Sequence, residues 1–230
     1  RVIVKRCQSK YIDQKYAFYE PFIWSLLNNE NIHPFLGIVT TFDESVSTVA
    51  EWVDGKDAYT YVQDPKADPS SLLLGLARAL HYLHSHPHGQ IIHGDVQGSN
   101  VLVADNNRAW LTNFSCSVMR SVNMTLIPCN VGDFRWRAPE HVKAGVGISA
   151  AGDVWAFGMT ILELFSANPP FQGEPSEPSL CDRIQQGLLP QRPTRMTDKW
   201  WKLCTSCWKL DATSRPSMST LVGKTKEITA

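Results

Sequence analysis

The stretch LTNFSCS (111–117) stands downstream of HGDVQGSN (93–100), with the hydrophobic run VLV (101–103) and a polar turn between them. In HGDVQGSN, Asp95 and Asn100 lie five residues apart in a loop that precedes a hydrophobic strand. A carboxylate and an amide at this spacing can supply a proton acceptor and an oxygen ligand for a metal ion. The pattern HxDxxxxN is weak on its own, because an ordinary turn rich in Asp and Asn has the same composition.

Other motifs are spread along the chain, before and after this pair. VIVK (2–5) has the composition of a strand that ends in a lysine, Lys5, and Glu20 lies on the next predicted helix, where it can pair with that lysine. The later motifs are RAPE (137–140), DVWAFG (153–158), a CW pair (207–208) and SRP (214–216). These residues in this order resemble the protein kinase domain, and most of all its tyrosine-kinase-like branch, including the fungal members. The resemblance covers nearly the whole chain.

The residue pattern that predicts secondary structure changes near residue 54. Residues 1–53 alternate short β-branched runs with one helical segment, and helical patterns dominate residues 54–230. Together with the resemblance, this predicts an α+β, two-lobed kinase-like fold. It would have a small sheet-plus-helix N-lobe with the hinge at 1–53 and a larger helical C-lobe at 54–230, forming one kinase-like domain. Because the sequence begins at the lysine strand, the first two strands and the glycine-rich loop of the family are expected to be missing, through natural truncation or because the sequence is a fragment.

Local patterns predict the elements of both regions. Residues 16–27 are helix-like, although Pro21 should bend the helix or mark a late start. The runs 35–42 and 47–53 predict a hairpin. In the larger region, two strongly apolar helical patterns each follow a serine. The predicted N-caps are Ser70 or Ser71 for the first of these helices and Ser149 for the second.

Charge and hydropathy limit the kinds of partner and the cellular location that we expect for this chain. Lys+Arg and Asp+Glu both number 22, so the formal net charge is zero and gives no reason to expect a nucleic-acid or membrane-surface partner. The most apolar run, VWAFGMTILELF (154–165), is too short to span a bilayer and carries Glu163, which indicates a buried helix. The N-terminal stretch RVIVKRCQSK lacks the apolar segment of a signal peptide. We therefore expect a cytoplasmic protein without a membrane segment, which meets other proteins as partners or substrate.

The six cysteines do not form the dense pattern of a disulfide-stabilised secreted domain. Cys204 and Cys207 make a lone CxxC inside the helical-looking segment 200–210, and no second pair of ligands is spaced to complete a zinc site. We expect buried structural thiols at these two positions and a reducing compartment.

By resemblance, the polar motifs contain the residues for phosphoryl transfer from ATP. Lys5 would contact the α- and β-phosphates and pair with Glu20, although a lysine at a strand end can also simply lie in solvent. Asp95 would be the catalytic base that accepts the proton of the incoming hydroxyl. Asn100 would hold Mg²⁺, and Asn113 would be a second, poor metal ligand.

The resemblance also implies an adenine site and several structural contacts. The residues at the adenine site would be Ala50 as the gatekeeper, the backbone of Glu51 and Val53 in the hinge, and Leu102 beneath the ring. The four stacked apolar positions that link the lobes would be Trp24, Phe35, His93 and Phe114. In the large lobe, Glu140 would form a buried ion pair with Arg215, and Asp153 would accept backbone N–H groups of the catalytic loop.

Several positions depart from the family pattern around the nucleotide and the metal ion. Asn113 and Ser115 replace the Asp and Gly of the DFG motif, so that a neutral carbonyl stands where Mg²⁺ prefers a carboxylate. Losing one partner of a close charge pair costs about 3–5 kcal/mol, which would slow the chemistry about 10²–10⁴-fold. The other departures are Gln97 for a lysine, Gly94 for the arginine of HRD, Ile3 for a small alanine against adenine, and Asp133 for a threonine. Asp133 would add a second carboxylate near Asp95.

These departures favour a kinase-like domain with little or no phosphotransfer, a pseudokinase that acts in signalling through protein contacts. Binding of ATP and Mg²⁺ is then expected to be weak or absent. The retained Lys5, Glu20, Asp95 and Asn100 favour a first alternative, an active ATP-dependent protein kinase that is complete only in a longer chain and is directed to Ser/Thr rather than Tyr. A second alternative is a non-functional gene fragment.

Overall fold

The computed structural model describes residues 1–6, 18–41, 46–120, 133–142, 147–174 and 176–230. The first part of the chain forms a three-stranded antiparallel sheet with its last strand in the middle. The strands are β1 (Val2–Arg6), β2 (Phe35–Val39) and β3 (Ser47–Glu51), and helix α1 (Tyr19–Ser25) lies between the first two in sequence. The predicted lysine strand and the predicted hairpin are therefore confirmed.

The rest of the described chain is mainly helical. Its helices are α2 (Ala58–Tyr61), α3 (Ser70–His84), α4 (Pro139–Val142), α5 (Ala150–Ser166), α6 (Glu177–Gln185), α7 (Asp198–Cys207) and α8 (Met218–Thr229). Two short antiparallel strand pairs are β4 (Ile91–Ile92) with β7 (Val118–Met119), and β5 (Val101–Ala104) with β6 (Arg108–Leu111). A small sheet lobe and a larger helical lobe are the predicted α+β class, which is confirmed.

The start of helix α1 is set by a proline. The helix begins at Tyr19, so Pro21 lies in the first turn, where a missing backbone N–H leaves no hydrogen bond unmade. The late start that Pro21 predicted is confirmed, and positions 16 and 17 lie outside the described residues. Glu20 and Trp24, four residues apart on one face of the helix, are both buried. This face carries the carboxylate that the site needs.

The core of the large lobe is built on α5 and α3. Every residue of α5 from Gly152 to Phe165 is buried, as expected for a helix that is apolar all round. Ser149 caps this helix as predicted, since its Oγ accepts a hydrogen bond from Gly152 N at 3.0 Å. The leucines on one face of α3 are Leu72, Leu73, Leu76, Leu80 and Leu83, and all are at most 1% exposed. Each buried leucine contributes about 1.5–3 kcal/mol, so α3 and α5 hold the helical lobe together.

The predicted capping of α3 by Ser70 or Ser71 is wrong. The helix begins at Ser70, and the residue at its N-cap position, Pro69, makes no side-chain cap. Asp68 takes over this task, because its Oδ1 accepts hydrogen bonds from Ser70 N at 3.0 Å and from Ser70 Oγ at 2.6 Å. A carboxylate satisfies the free N–H of the first turn and also places a negative charge at the helix N-terminus.

The cysteines of α7 are buried thiols, as predicted. Cys204 and Cys207 are free and fully buried, and burial raises the pKa of Cys207 to about 12, which keeps it neutral. Among the described residues, no group of three His, Cys, Asp or Glu side chains could hold a metal ion. Cys116 is disulfide-bonded, a pairing that the cysteine spacing did not predict.

None of the helices in the described ranges has the length and apolar character needed to cross a bilayer.

Candidate active site

The lysine of β1 and the glutamate of α1 form the predicted pair. Lys5 Nζ lies 3.0 Å from Glu20 Oε1. The Glu20 side chain is 10% exposed, whereas that of Lys5 is 48% exposed, so the carboxylate is shielded from solvent and the lysine side chain is half-exposed. The pair joins the sheet to helix α1.

The loop before β5 brings the predicted base and the predicted metal ligand together. The chain makes a 3₁₀ turn at Gly98–Asn100, which places the Asn100 amide over Asp95. Asn100 Nδ2 donates to the backbone oxygen of Asp95 at 2.7 Å and to its Oδ2 at 2.8 Å. The second carboxylate oxygen, Oδ1, accepts a hydrogen bond from Gln97 Nε2 at 2.7 Å. Amide donors therefore hold both oxygens of the Asp95 carboxylate.

Asp153 of helix α5 holds the loop HGDVQGSN (93–100) in place. Its carboxylate accepts hydrogen bonds from His93 N and Gly94 N, both at 2.9 Å, and from His84 Nε2 at 2.8 Å. Burial raises the pKa of Asp153, but the hydrogen bond and charge of His84, with the charge of His93 and the Gly94 N–H, outweigh burial and lower it. The predicted structural role of Asp153 is thus met by three donors.

Gly94 has a steric reason for being glycine. Its φ is +79°, and an added Cβ would lie 2.6 Å from Ile148 Cδ1 and 2.8 Å from the backbone oxygen of Cys116. The arginine of the family motif could not occupy this backbone position without a shift of its neighbours. The loss of that arginine is therefore built into the local packing.

Asn113 occupies the centre of the site. It has a left-handed backbone conformation, with φ 66° and ψ 72°, which asparagine tolerates better than most residues. Its Oδ1 accepts from Lys5 Nζ at 2.9 Å and from Ser115 Oγ at 3.0 Å. Its Nδ2 donates to Asn100 Oδ1 at 3.1 Å and contacts Asp95 Oδ2 at 3.4 Å. This one amide joins three parts of the chain in a single hydrogen-bond network: strand β1, the loop HGDVQGSN (93–100) and the stretch LTNFSCS.

The predicted adenine residues lie at the end of β3, directly after it, and on β5. Ala50 in β3 is 2% exposed and stands opposite Ile3, which is 43% exposed. Leu102 in β5 is half-buried and forms an isolated bridge with Asp57, and Val53 follows β3. Their contact with a nucleotide stays a prediction.

A histidine that the sequence did not single out contacts the predicted hinge. His33 Nε2 lies 2.7 Å from the backbone oxygen of Glu51, and His33 Nδ1 lies 3.2 Å from Thr112 Oγ1. Because a carbonyl can only accept, Nε2 carries the proton. Burial lowers the pKa of His33 despite the opposing effect of the Glu51 backbone, which favours the neutral ring. One acceptor position of the predicted hinge carbonyl is therefore taken by His33.

Four rings form the predicted stack between the lobes. Trp24 lies 5.4 Å from Phe35 and 5.6 Å from Phe114, measured between ring centroids, and Phe114 lies 5.4 Å from His93. Aromatic pairs at these separations attract each other beyond simple burial. The stack packs Trp24 of α1 against Phe114 of LTNFSCS.

Asp133 is bonded to its neighbour Arg135, and its expected approach to Asp95 stays a prediction. Its Oδ1 accepts from Arg135 N at 3.0 Å at the start of the 3₁₀ turn Phe134–Trp136, and its Oδ2 pairs with Arg135 Nη1 at 2.5 Å. An arginine thus balances its charge locally.

In the large lobe, the predicted ion pair is present. Arg215 donates through Nη1 and Nη2 to the two carboxylate oxygens of Glu140, at 2.6 and 2.8 Å. It also donates to the backbone oxygens of Ala151 and Lys209 at 2.9 and 2.8 Å. The Arg215 side chain is 1% exposed, so a fully buried cation joins α4 to the start of α5.

Comparison with known proteins agrees with this geometry. The sequence pattern of the family described as protein tyrosine and serine/threonine kinase matches residues 1–225. The serine/threonine-protein kinase mos of Patiria pectinifera is 28% identical over 95% of this chain and 65% of its own length. Protein kinase STUNTED of Arabidopsis thaliana is 32% identical over 74% of this chain and 27% of its own length. Vascular endothelial growth factor receptor 1 of Homo sapiens is 28% identical over 79% of this chain and 14% of its own length.

The chain spans less than two thirds of the length of each of these relatives. The family match nevertheless extends over nearly all of its residues, and the lysine–glutamate pair, the loop with Asp95 and Asn100, and the Glu140–Arg215 pair all lie inside it. The chain belongs to the protein tyrosine and serine/threonine kinase family.

Proposed function

We propose that this kinase-like domain works in signalling through contacts with other proteins, and that its transfer of phosphate from Mg·ATP is weak or absent. We place it in the tyrosine-kinase-like branch, on the motifs GDFRWRAPE and the segment that ends in SRPSM. The observation that carries the proposal is the orientation of Asn113. Its N–H group faces Asn100 Oδ1 and Asp95 Oδ2, where a metal ion would need oxygen ligands.

The residues present do not fit the Mg²⁺ ion that the family typically uses. Mg²⁺ prefers near-octahedral oxygen coordination, commonly with one or two carboxylates. Among the described residues, the hydrogen-bonded set around Asn113 holds two carboxylates, Asp95 and Glu20, and Glu20 is paired with Lys5. Asn113 supplies no negative charge, and its oxygen points to Lys5.

Weak nucleotide binding follows from the same contacts. ATP would bring several negative charges into a site where Lys5 already shares its ammonium group between Glu20 and Asn113. Without a metal ion to offset those charges, the phosphates would meet the Asp95 carboxylate unscreened. The loss of the metal-binding carboxylate alone is expected to slow chemistry about 10²–10⁴-fold.

A second candidate function is an active protein kinase, and specific contacts favour it. The Lys5–Glu20 pair is formed at 3.0 Å, and Asp95 and Asn100 are held together at 2.8 Å. In that case Asp95 would be the base, Asn100 would hold the metal ion, and serine or threonine would be the substrate residue. Protein partners are proposed for either function, since the balanced charge favours neither nucleic acid nor membrane surfaces. A cytoplasmic location is proposed because Cys181, Cys204 and Cys207 are free thiols, although Cys116 is disulfide-bonded.

The two functions are separated by a phosphotransfer assay on the full natural chain that contains these residues. Transfer from ATP to a mixed peptide library, in the presence of Mg²⁺, is compared between the wild type and Asp95→Asn, which keeps the shape but removes the base. We expect the two rates to be equal. A wild-type rate at least about ten-fold above that of Asp95→Asn, which is about 1.4 kcal/mol of barrier, would favour the active kinase.

A further inference from the structure

We infer that Asn113 and Ser115 act as one positioning unit that closes the site without a metal ion. The inference rests on the proposed function and goes beyond it: the two residues that replace Asp and Gly make new contacts, in addition to removing old ones. These contacts do the structural work that a metal-bridged carboxylate would otherwise do.

The direction in which the Asn113 amide points is fixed by its neighbours. An asparagine side chain can be turned over without changing its shape, so its oxygen and nitrogen must be assigned from their partners. Lys5 Nζ can only donate, and it lies 2.9 Å from the atom assigned as Oδ1. Ser115 Oγ lies 3.0 Å from the same atom and can donate to it. The oxygen therefore faces Lys5 and Ser115, and the NH₂ group must face the other way.

The opposite side of the amide then covers the oxygens that a metal ion would need. Nδ2 of Asn113 lies 3.1 Å from Asn100 Oδ1 and 3.4 Å from Asp95 Oδ2. The other carboxylate oxygen, Asp95 Oδ1, accepts from Gln97 Nε2 at 2.7 Å. The Asn113 NH₂ group thus stands between Asn100 Oδ1 and Asp95 Oδ2. A metal ion that bridged these two oxygens would have to displace this amide.

The charge of the site agrees with this arrangement. Lys5, Glu20 and Asp95 together carry one net negative charge, and all three are joined through hydrogen bonds that include Asn113. An aspartate at position 113 would add a second carboxylate 3.4 Å from Asp95 and would have no donor to offer it. That pair would call for a cation between them. An asparagine needs none, because its N–H group is the bridge.

The network also ties helix α1 to the loop in the absence of any ligand. It runs from Glu20 on α1 through Lys5 on β1 to Asn113, and from there to Asp95, Asn100 and Gln97. Ser115 is at the exposed edge, where its hydroxyl holds the amide in the required orientation. Asn113 and Ser115 are therefore positioning residues for the two lobes.

Nuclear magnetic resonance on the full natural chain tests the inference, with Mn²⁺ as the probe. Mn²⁺ takes the same carboxylate and carbonyl ligands as Mg²⁺, and it broadens the signals of nearby protons. We expect the side-chain amide signals of Asn100 and Gln97 to keep their intensity in the wild type at millimolar Mn²⁺. In Asn113→Asp the same signals should broaden at that concentration. Asn29→Asp is the matched control: among the described residues the Asn29 side chain acts as an acceptor alone, from Asn31 N at 2.9 Å, and aspartate preserves that bond.

The orientation itself is tested by Ser115→Ala, which removes the hydroxyl donor alone. Exchange of the Asn113 side-chain amide protons with solvent should become faster than in the wild type. Unchanged exchange would overturn the pairing of the two residues, even if Asn113→Asp fails to fold. Broadening of Asn100 and Gln97 in the wild type, or its absence in a folded Asn113→Asp, would overturn metal-free closure. Wild-type broadening without phosphotransfer leaves the proposed function standing, whereas Asp95-dependent phosphotransfer by the wild type removes that function.

Discussion

The ion pair between Glu140 and Arg215 is unequally buried, and this asymmetry predicts which partner matters more. The Arg215 side chain is 1% exposed and that of Glu140 is 28% exposed. In Glu140→Ala, the guanidinium would keep the backbone oxygens of Ala151 and Lys209 and its position over the Trp155 ring. It would lose the one carboxylate that it contacts within 4.0 Å among the described residues. Removing one partner of a buried pair costs about 3–5 kcal/mol. We therefore expect Glu140→Ala to lower the free energy of unfolding by this amount.

Urea unfolding at neutral pH measures the effect. Glu140→Gln is the matched variant, because it keeps one acceptor oxygen for Arg215 and replaces the other oxygen by an NH₂ group, so it should cost about 1–3 kcal/mol. The dependence of the unfolding free energy on urea should be the same in all three proteins. An exposed ion pair contributes only about 0–1 kcal/mol, so a loss of under about 1 kcal/mol in Glu140→Ala would refute a buried cation at this point.

The pH dependence of this pair gives an independent check. Burial raises the pKa of Glu140, but the hydrogen bonds from Arg215 and the backbone, with the charges of Arg215 and His141, lower it below its ordinary 4.5. A carboxyl group with a lowered pKa in the folded state stabilises the protein above its unfolded pKa. That stabilisation is lost as the pH falls through the folded pKa. The advantage of the wild type over Glu140→Gln should therefore be complete at neutral pH and shrink below pH 4.5.

Three further predictions concern nucleotide and two buried carboxyl groups. Millimolar ATP, with or without Mg²⁺, should leave the melting temperature of the full chain unchanged. A ligand at 100 times its Kd would add about 2.7 kcal/mol to the free energy of unfolding, so a rise in melting temperature that requires Mg²⁺ would contradict weak binding. Asp153→Asn should destabilise the fold at neutral pH and converge with the wild type in acid, because the pKa of Asp153 is lowered from its ordinary 3.8; parallel pH profiles in denaturant melts would contradict this. Burial raises the pKa of Glu163 to about 7, despite the opposing hydrogen bonds from Gly98 and Trp136. The wild type should therefore lose stability relative to Glu163→Gln as the pH rises from 4.5 to about 7, and a difference that does not depend on pH would disprove this prediction.

Much of the fold could be predicted from the sequence, because residues of one chemical type recur at the period of their element. The leucines of α3 and the unbroken apolar run of α5 define buried faces without reference to partners. The late start of α1 follows from the fixed geometry of Pro21. The cap of α3 was missed because Asp68, Ser70 and Ser71 are all good capping residues, and only the backbone decides among them.

The site was harder to predict because substitutions read as losses also create contacts. Against the family pattern, Ser115 and Gln97 are a missing glycine and a missing lysine, yet both side chains make hydrogen bonds in the network. Gly94 is a missing arginine in the same pattern, although its positive φ and the close approach of Cys116 and Ile148 demand glycine. His33 gave no signal in the sequence, since a lone histidine beside a strand has no motif. Such contacts depend on which residues meet across the lobes, and the distance between them along the chain conceals this.

We propose that Asn113 and Ser115 set the site apart from that of a metal-dependent kinase. The most direct measurement is the rate of Mg²⁺-dependent phosphotransfer by Asn113→Asp/Ser115→Gly in the longest natural chain, compared with the wild type and with the same double variant carrying Asp95→Asn. We expect a gain of at least about ten-fold over the wild type, about 1.4 kcal/mol of barrier, and we expect Asp95→Asn to abolish it. A wild type that already transfers phosphate at a rate that the double variant does not improve would contradict it.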